Sequence, residues 1–345
     1  GHPAGEQRRA LADAGLLAPH WPRPYGRDAG AAEQLVIDEA LEQEGIARPN
    51  LMIGAWAVPT ILEHGTDEQR ERFVRPTLYG DLTWCQLFSE PGAGSDLASL
   101  RTRAERVEGG WRLRGQKVWT SLAHEADWAI CLARTNPDVP KHQGITYFLV
   151  DMRAEGLEVR PLREMTGEAL FNEVFLDGVF VPDGGVVGEV DGGWRLARAT
   201  LADERVAMSG GSSLGASVEQ LLARSAESGA AADPVVRDRL GRLVAEGHAV
   251  SMLGLRATMR SLRGEGPGPE SGVQKLVGVE HRQAVAEAAL ELLGPAGATV
   301  DDRTSPVVHE MLVSRCLSIA GGTTQVLRNL VGERVLGLPR EPAGA

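Results

Sequence analysis

Two polar stretches in the middle of the chain carry the residues best suited to hold a flat heteroaromatic ligand. The first is "CQLFSEPGAGSDLASL", from Cys85 to Leu100, and the second is "GQKVWTSLAHEADW", from Gly115 to Trp128. The first combines hydroxyls, glycines and backbone amides that can bind phosphates and an aromatic ring. The second offers a tryptophan to cover a ring face and hydroxyls to bond its edge. The alternative is an ordinary turn of small residues followed by a strand that contains one aromatic side chain.

A third stretch, "SIAGGTTQVLRN" from Ser318 to Asn329, has the composition of a helix entrance. Two glycines are followed by threonines that can cap a helix and then by an amphipathic run. Nothing in this stretch can serve as an acid or a base. It is therefore either an ordinary turn or part of an active site whose proton chemistry lies elsewhere.

Three further motifs match known sites only in part. "GAGSD", residues 92–96, is not a dinucleotide fingerprint, because position 97 is Leu97 and not glycine. "GSSLG", residues 211–215, centres on Ser213, but it follows helical sequence where a nucleophile elbow needs a strand. Close helix packing is the preferred interpretation, and a serine hydrolase is the alternative. "HEADW" and "HEMLV" fail H-E-x-x-H, so we expect no metal site.

Three regions of different periodicity must position these stretches. The region before about Gly80 has apolar positions three or four residues apart, which is typical of helices. From about Leu82 the period becomes two and predicts strands, two of them joined at residues 108–110. After "GEVDGGW" the helical period returns, with short breaks rich in Gly and Pro that suit the loops of an antiparallel bundle. The pattern predicts an α+β multidomain chain: helices, a compact β domain and a helical bundle.

The composition excludes several classes of protein. Hydrophobic residues make up 43% of the 345 residues, which is enough for a sizeable core and argues against disorder. The formal charge is −11 and no basic run stands out, so nucleic acids and anionic membranes are disfavoured as partners. No apolar run approaches the roughly 18 residues that span a bilayer, and the N-terminus has no signal-peptide pattern. Cys85, Cys131 and Cys316 lie far apart in sequence, which fits buried thiols in a reducing compartment. We expect a cytoplasmic protein.

Five ordered motifs resemble the acyl-CoA dehydrogenase family of flavoproteins. They are "SEPGAGSD", "GQKVWTS", "FNEVFLDGVFVP", "DGGW" and the terminal "AGGTTQVLRNLVGERVLGLPR". The resemblance covers nearly the whole chain, from "LADAGLLAPHWPRPYG" onward. It implies an N-terminal helical domain over residues 1–81, a central β-barrel-like domain over 82–188 and a C-terminal four-helix bundle over 189–345. Family members usually begin with a further helix, so the first domain is expected to lack its first helix.

The resemblance also implies a reaction and its partners. The family oxidises acyl-CoA thioesters to the trans-2-enoyl-CoA, and FAD accepts the hydride. The reaction needs a carboxylate that removes the α-proton, hydrogen bonds to the thioester oxygen, and a β-carbon placed over flavin N5. An electron-transfer flavoprotein is the expected electron acceptor. A homo-oligomer, dimer or tetramer, is expected, and a hetero-oligomer stays open. The length and shape of the acyl chain are not specified.

In the β domain, the resemblance assigns the flavin contacts residue by residue. Ser121 would face flavin N5, while Gly94 and Ser95 would contact the flavin phosphates or the pantetheine arm of the CoA substrate. Two groups would lie on opposite sides of the flavin: Gln86, Phe88 and Ser89, and Trp119, Thr120 and Ser121.

In the bundle, two segments resemble contacts to the adenosine half of FAD across a subunit interface. One is "ELLG", from Glu291 to Gly294, and the other contains Thr323 and Gln325. The family usually has Gln in place of Glu291 and a second glycine in place of Pro295. An acid beside a pyrophosphate is electrostatically unfavourable.

The catalytic base is expected on an earlier helix than in many relatives. Many members carry the base immediately before the Gly-Thr of the last motif, where this chain has Gly321. Relatives of the long-chain and isovaleryl type place it in a Glu-Arg dipeptide after the β domain, and "LADERVAM" supplies Glu204-Arg205. The resemblance implies Glu204 as the base, Arg205 as a support for substrate or helix packing, and the Gly321 N–H as an oxyanion donor. The alternative for Glu204 is a solvated helix acid paired with an arginine.

One family motif is absent. Relatives commonly carry R-x-x-F-G after the long helix, where it reaches the FAD of a neighbouring subunit, but this chain has "RSAESGAAADP". Either Arg224 or Arg237 substitutes, or a different chain completes the FAD site. The absence keeps open a non-catalytic or FAD-sharing subunit of a hetero-oligomer. A separate alternative to the main hypothesis is an oxidase or monooxygenase that uses oxygen on the same fold.

Overall fold

The computed structural model describes residues 4–209, 217–265, 271–301 and 305–339. The contacts of the chain divide it into two compact units, residues 1–207 and residues 208–345. The first holds four helices, a sheet and most of a fifth helix, and the second is helical in its described residues.

Four helices open the first unit, and local signals explain where they begin and end. The side chain of Thr66 accepts a hydrogen bond from the Gln69 N–H, and the Gln69 side chain binds back to Thr66, which is a capping box. Gly80, at φ 83°, ends the same helix in the left-handed conformation. The helices are α1 (Ala4–Asp13), α2 (Ala31–Gln43), α3 (Gly54–His64) and α4 (Asp67–Tyr79).

The strands of the described residues form one sheet, in the order β6-β7-β3-β2-β4-β5-β8, with β1 paired in parallel to β4. The predicted hairpin is confirmed: β2 and β3 pair in antiparallel register, and Gly109 in the turn has φ 73°. The strands are β1 (Trp84–Leu87), β2 (Arg103–Val107), β3 (Gly110–Ser121), β4 (Trp128–Arg134), β5 (Ile145–Asp151), β6 (Leu157–Pro161), β7 (Phe171–Pro182) and β8 (Val186–Val187).

Helix α5 (Gly193–Ser209) packs on the sheet through its N-terminal half. A Cβ atom at Gly193 would lie 2.7 Å from the backbone of Thr146, so the start of the helix needs glycine to approach β5 this closely. Leu196 and Ala197 are buried in the same core cluster as the residues of β4 and β5. These contacts fix the direction in which α5 leaves the sheet.

In the second unit, the described helices largely follow the predicted periodicity. An apolar cluster that includes Leu221, Leu243 and Val285 joins the first three. A short helix over Ser305–Val313 was not predicted. The helices are α6 (Ser217–Glu227), α7 (Pro234–Leu262), α8 (Ser271–Leu292), α9 (Ser305–Val313) and α10 (Thr324–Arg334).

Two further observations concern the chain as a whole. Of the helices described, none is long and apolar enough to cross a membrane. Cys85 and Cys131 are buried free thiols, and Cys316 is half-buried.

Candidate active site

Glu204 on α5 is held by a hydrogen-bonded chain that starts on α3. Gln86 Nε2 on β1 donates to Glu204 Oε2 at 3.1 Å, and Trp56 Nε1 donates to Gln86 Oε1 at 2.6 Å. An indole N–H can only donate, so its partner on Gln86 must be the amide oxygen, and the amide nitrogen must face Glu204. The N–H of Gln86 therefore favours the ionised carboxylate, which is the form that a general base requires.

Buried hydroxyls fix α5 one turn before Glu204. Thr200 Oγ1 lies 2.7 Å from Thr60 Oγ1 and 3.2 Å from the Tyr147 hydroxyl, and it donates to Leu196 O at 3.0 Å. Burial raises the pKa of Tyr147 and outweighs the hydrogen bonds from the two threonines, so its hydroxyl stays neutral. Because Thr200 is four residues before Glu204, this network holds the helix face that presents Glu204.

A second acid, Asp203, is adjacent to Glu204 on α5 and was not singled out in the sequence. Its side chain is half-buried. Burial raises its pKa, and the negative charge of Glu63 raises it further. Neighbouring residues of a helix point in different directions, so Asp203 is not a duplicate of Glu204. Both acids are half-buried, and the hydrogen bond from Gln86 to Glu204 is the contact that separates them.

The structure brings together the two polar stretches that the sequence singled out. The Val118 N–H donates to Ser89 O at 2.9 Å. The fully buried ammonium of Lys117 donates to Phe88 O at 3.1 Å, to Leu132 O at 2.8 Å and to Glu90 Oε1 at 2.9 Å. The segment that follows β1 and the second half of β3 are therefore held side by side.

Glu90 completes this link as a buried carboxylate. It accepts the backbone N–H groups of Arg101 at 2.6 Å and Thr102 at 2.9 Å in addition to Lys117. Burial alone would raise the pKa of Glu90, but the Lys117 charge and these hydrogen bonds outweigh burial and hold the pKa below its usual value. The Lys117–Glu90 pair was missed in the sequence, where the only signal was a lysine within a predicted strand.

Trp119 lies on a β-bulge and is exposed. The β3–β7 register shifts between Lys117 and Thr120, so Val118 and Trp119 together oppose Glu173. Trp119 has φ 59°, which is unusual for a residue other than glycine, and 64% of its surface is exposed. A strained backbone that presents a large ring to the outside is typical of a ligand-binding surface.

The next two residues add polar groups beside this ring. Thr120 is buried, Asn172 Nδ2 donates to its carbonyl at 3.0 Å, and its hydroxyl has no partner among the described residues. Ser121 is half-buried. An exposed aromatic face, an orphaned hydroxyl and a second hydroxyl fit an isoalloxazine ring, which needs stacking on its face and hydrogen bonds at its edge.

Gly94 and Ser95 lie on an exposed turn between β1 and β2. The turn begins with reciprocal backbone bonds between Glu90 and Ala93 at 3.1 and 3.0 Å, and Asp96 anchors its end through an ion pair with Lys141 at 2.7 Å. The two predicted contact residues are therefore accessible on a loop whose ends are fixed.

In the second unit, Gly321 and Gly322 form a tight turn before α10. Their φ angles are 63° and 101°, which glycine adopts without strain. Thr323 caps α10 by accepting the Val326 N–H at 3.2 Å, as its composition predicted, and Gln325 is exposed.

Glu291, near the end of α8, forms an ion pair with Arg239 of α7, which offsets its charge. Gly294, at φ 55°, begins the 3₁₀ turn that follows. Lys275, near the start of α8, binds the turn before α10. Glu291 is about 24 Å further along the helix at about 1.5 Å per residue. One copy of the second unit therefore does not bring Glu291 together with Thr323 and Gln325.

Several predicted residues give no further geometry. The side chain of Arg205 and the whole of Ser213 lie outside the described residues. Arg224 and Arg237 are both exposed, so either side chain is accessible to a partner. No group of three or more His, Cys, Asp or Glu side chains in the described ranges is arranged to hold a metal ion.

Comparisons with known proteins address the whole chain. Three family profiles match: "Acyl-CoA dehydrogenase, N-terminal domain" at residues 2–81, "middle domain" at 85–179 and "C-terminal domain" at 191–336. Acyl-CoA dehydrogenase FadE34 of Mycobacterium tuberculosis is 58% identical over 98% of this chain. The chain spans only 47% of the length of that relative.

Two solved structures are similar over nearly their full length. The structure described as "Tcur3481-Tcur3483 steroid ACAD" is 31% identical with a TM-score of 0.86, covering 99% of this chain and 90% of that chain. The ChsE4-ChsE5 complex from Mycobacterium tuberculosis is 31% identical with a TM-score of 0.81, covering 98% of this chain and 90% of that chain. The motifs, the fold and these matches agree, and the chain belongs to the acyl-CoA dehydrogenase family, whose members are FAD-dependent oxidoreductases that act on acyl-CoA.

Proposed function

We propose that this chain catalyses the α,β-dehydrogenation of an acyl-CoA thioester to the trans-2-enoyl-CoA, with Glu204 as the base. The observation that carries the proposal is the hydrogen bond from Gln86 Nε2 to Glu204 Oε2 at 3.1 Å, with the Gln86 amide oriented by Trp56. A glutamate that only faces solvent on a helix is usually exposed. Partial burial and a hydrogen bond from a side-chain amide on a neighbouring strand are not expected for such a residue.

The chain's own residues supply the proton chemistry. The Glu204 carboxylate takes the α-proton and becomes a neutral acid, while negative charge develops on the thioester oxygen. The Gly321 N–H is the proposed donor to that oxygen, because glycine has no side chain to cover its backbone N–H. Bound FAD supplies the acceptor for the hydride that leaves the β-carbon. Trp119, Thr120 and Ser121, with Gln86, Phe88 and Ser89, would hold it.

Anaerobic mixing with an acyl-CoA tests the assignment of the base. The Glu204→Gln protein should bleach its flavin about 10²–10⁴-fold more slowly than the wild type, which is the typical contribution of general-base catalysis. Asp203→Asn is the matched control, because it removes the adjacent acid of the same helix, and it should keep the wild-type rate. Normal bleaching by Glu204→Gln, or loss in Asp203→Asn alone, would reject Glu204 as the base.

The acyl group is proposed to be bulky and to carry rings. This finer proposal is supported by the 31% identity to a structure whose description names a steroid acyl-CoA dehydrogenase. A panel of octanoyl-CoA, isovaleryl-CoA and the CoA thioester of a sterol with a short acyl side chain tests it. Preference for octanoyl-CoA by kcat/KM would overturn it.

A second protein segment is proposed to complete the FAD site. The chain spans 47% of its 58% identical relative, and another relative is a complex of two named components. The absent R-x-x-F-G motif supports the same proposal. The FAD stoichiometry of the chain, measured alone and with a sister protein, tests it. One tightly bound FAD per lone chain would contradict it.

An electron-transfer flavoprotein is the proposed electron acceptor. Reoxidation of the reduced protein by such a flavoprotein should be much faster than reoxidation by air. Stoichiometric peroxide formation without an added acceptor would instead favour the oxidase on the same fold.

A further inference from the structure

The side chain of Lys275 on α8 forms hydrogen bonds with the glycine turn before α10. Its Nζ donates to the carbonyls of Ala320 and Gly322, the second at 2.7 Å, and its side chain is half-buried. An ammonium has three N–H donors and no acceptor, and its hydrogen bonds to carbonyls are strengthened by the charge. Both carbonyls of the turn therefore point toward α8.

The orientation of these carbonyls dictates the orientation of the opposite N–H groups. A trans peptide is planar, with its N–H antiparallel to its C=O. The only cis peptide in the described residues is Arg23-Pro24, so both peptides of the turn are trans. Since Ala320 O faces Lys275, the Gly321 N–H must face away from Lys275, and the Thr323 N–H does the same because Gly322 O also faces Lys275.

The Gly321 N–H is not used by the turn itself. The Ile319 and Ala320 N–H groups both donate to Cys316 O, at 2.9 and 2.8 Å, and among the backbone bonds of the described residues none starts from Gly321 N. The turn thus leaves the Gly321 N–H, like the Thr323 N–H, oriented away from Lys275, and the φ of 63° at Gly321 favours glycine.

We propose that Lys275 is a positioning residue that holds the Gly321 N–H outward as a hydrogen-bond donor to the thioester oxygen. The inference rests on the proposed dehydrogenation and adds the residue that orients its oxyanion donor. Lys275 does not touch the substrate. Its effect arises because a planar peptide cannot rotate its N–H without moving the carbonyl that Lys275 binds.

The test compares two CoA ligands that differ only in the carbonyl. The best substrate of the acyl-CoA panel above, labelled with ¹³C at its carbonyl, is bound to the FAD-loaded protein in a Glu204→Gln background, where proton removal is blocked. Its thioether analogue has the same acyl chain but no oxygen for Gly321 to bind. Hydrogen bonds to the carbonyl move its ¹³C resonance downfield, so the signal reports the oxyanion donors directly.

Lys275→Met should reduce the downfield shift by about half and weaken thioester binding about tenfold, with thioether binding changed less than about twofold. In the Glu204 parent, KM should rise by about the same factor as the loss of binding, and kcat should fall by about a further 10- to 100-fold, because the lost donor also acts on developing charge. Lys275→Arg keeps the charge and two donors and should recover part of the shift.

Arg328→Met is the matched control. Arg328 joins α10 to Glu280 of α8 at 3.1 Å, so the change removes a positive charge between the same helices without touching the turn carbonyls. It should leave the ¹³C shift and both affinities unchanged.

An unchanged ¹³C shift in Lys275→Met, or equal loss of affinity for thioester and thioether, would overturn the inference and indicate a purely structural lysine. Failure of the proposed function can be distinguished from failure of this inference, because it would be seen in protein with an unchanged Lys275. In that case the thioester would be oxidised in the Glu204→Gln background, or no thioester of the panel would bind the unaltered protein.

Discussion

Gln86 on β1 donates its amide N–H to the carboxylate of Glu204 on α5 across 3.1 Å, although the two residues are 118 positions apart in the chain. Trp56 fixes the direction of that amide through a 2.6 Å bond to its oxygen. The proposed base is therefore held by two further side chains, and both can be changed without altering Glu204.

We expect Gln86→Leu and Trp56→Phe to move the acid limb of the kcat/KM–pH profile to higher pH. Gln86→Leu removes a hydrogen bond to a charged group, about 1.5–3 kcal/mol, which corresponds to about one to two pH units at about 1.4 kcal/mol per unit. Trp56→Phe removes only the N–H that orients the amide, so its shift should be smaller and in the same direction. Activity that falls equally at every pH, with the limb unmoved, would contradict the proposed role of this chain of bonds.

Removal of one partner of the buried Lys117–Glu90 pair should strongly destabilise the folded protein. Lys117 is fully buried and Glu90 is 8% exposed, so Lys117→Met leaves a buried carboxylate without its cation and should cost about 3–5 kcal/mol in the free energy of unfolding. The control is Arg106→Met, which breaks an exposed pair with Asp183 and should cost about 1 kcal/mol or less. Denaturant titration of the apoprotein measures both changes in the free energy of unfolding. Equal costs would show that loss of the buried pair is no more destabilising than loss of the exposed pair.

The same pair predicts how stability depends on pH. Because the pKa of Glu90 is lowered in the folded protein, its ionised form stabilises the fold at all pH values above its usual pKa of about 4.5. That contribution is lost as the pH falls below 4.5 through the lowered value. Glu90→Gln should therefore show a flatter dependence of unfolding free energy on pH in this acid range. A wild type and variant with parallel curves below pH 4.5 would refute the assignment.

Asp203→Asn should raise the stability of the protein at neutral pH. The pKa of Asp203 is raised in the folded state by burial and by Glu63, so the native state binds this proton more tightly than the unfolded state does. The contribution of Asp203 to the stability of the fold is most favourable at pH values below its usual pKa of about 3.8. It becomes unfavourable as the pH rises through the raised pKa. The gain from Asp203→Asn should thus be absent in acid and appear toward neutral pH. A variant that is less stable than the wild type at pH 7 would contradict this sign.

The sequence predicted local features well and long-range contacts poorly. The β2–β3 hairpin and α7 follow from alternation, helical spacing and glycine turns, which act within a few residues. Helix α3 was not predicted. The bulge at Trp119 was missed, since it arises from unequal pairing of β3 with β7 and leaves no local pattern. Likewise, the alternation of β1 says nothing of α5, so Gln86 was assigned to the cofactor alone.

Trp119 offers a final test, because a ring that is exposed and held at positive φ contributes little to folding. Trp119→Leu should change the free energy of unfolding of the apoprotein by less than about 0.5 kcal/mol, as expected for an exposed side chain. The same change should weaken FAD binding about tenfold, since it removes the stacking surface beside the Thr120 and Ser121 hydroxyls. Trp119→Gly should weaken FAD similarly while stabilising the apoprotein, because glycine relieves the strain of φ 59°.

Phe180→Leu is the control for this test, because Phe180 is an aromatic residue of the same sheet that is 44% exposed and lies at ordinary negative φ. It should leave FAD affinity unchanged. Fluorescence titration with FAD, in the presence of the sister protein proposed to complete the site, gives the affinities, and urea titration of the apoprotein gives the stabilities. If Trp119→Leu destabilises the apoprotein by 2 kcal/mol or more, a value expected for buried aromatic residues, or if Phe180→Leu loses as much FAD affinity, the bulge would be a structural feature of the sheet and not the face of a cofactor site.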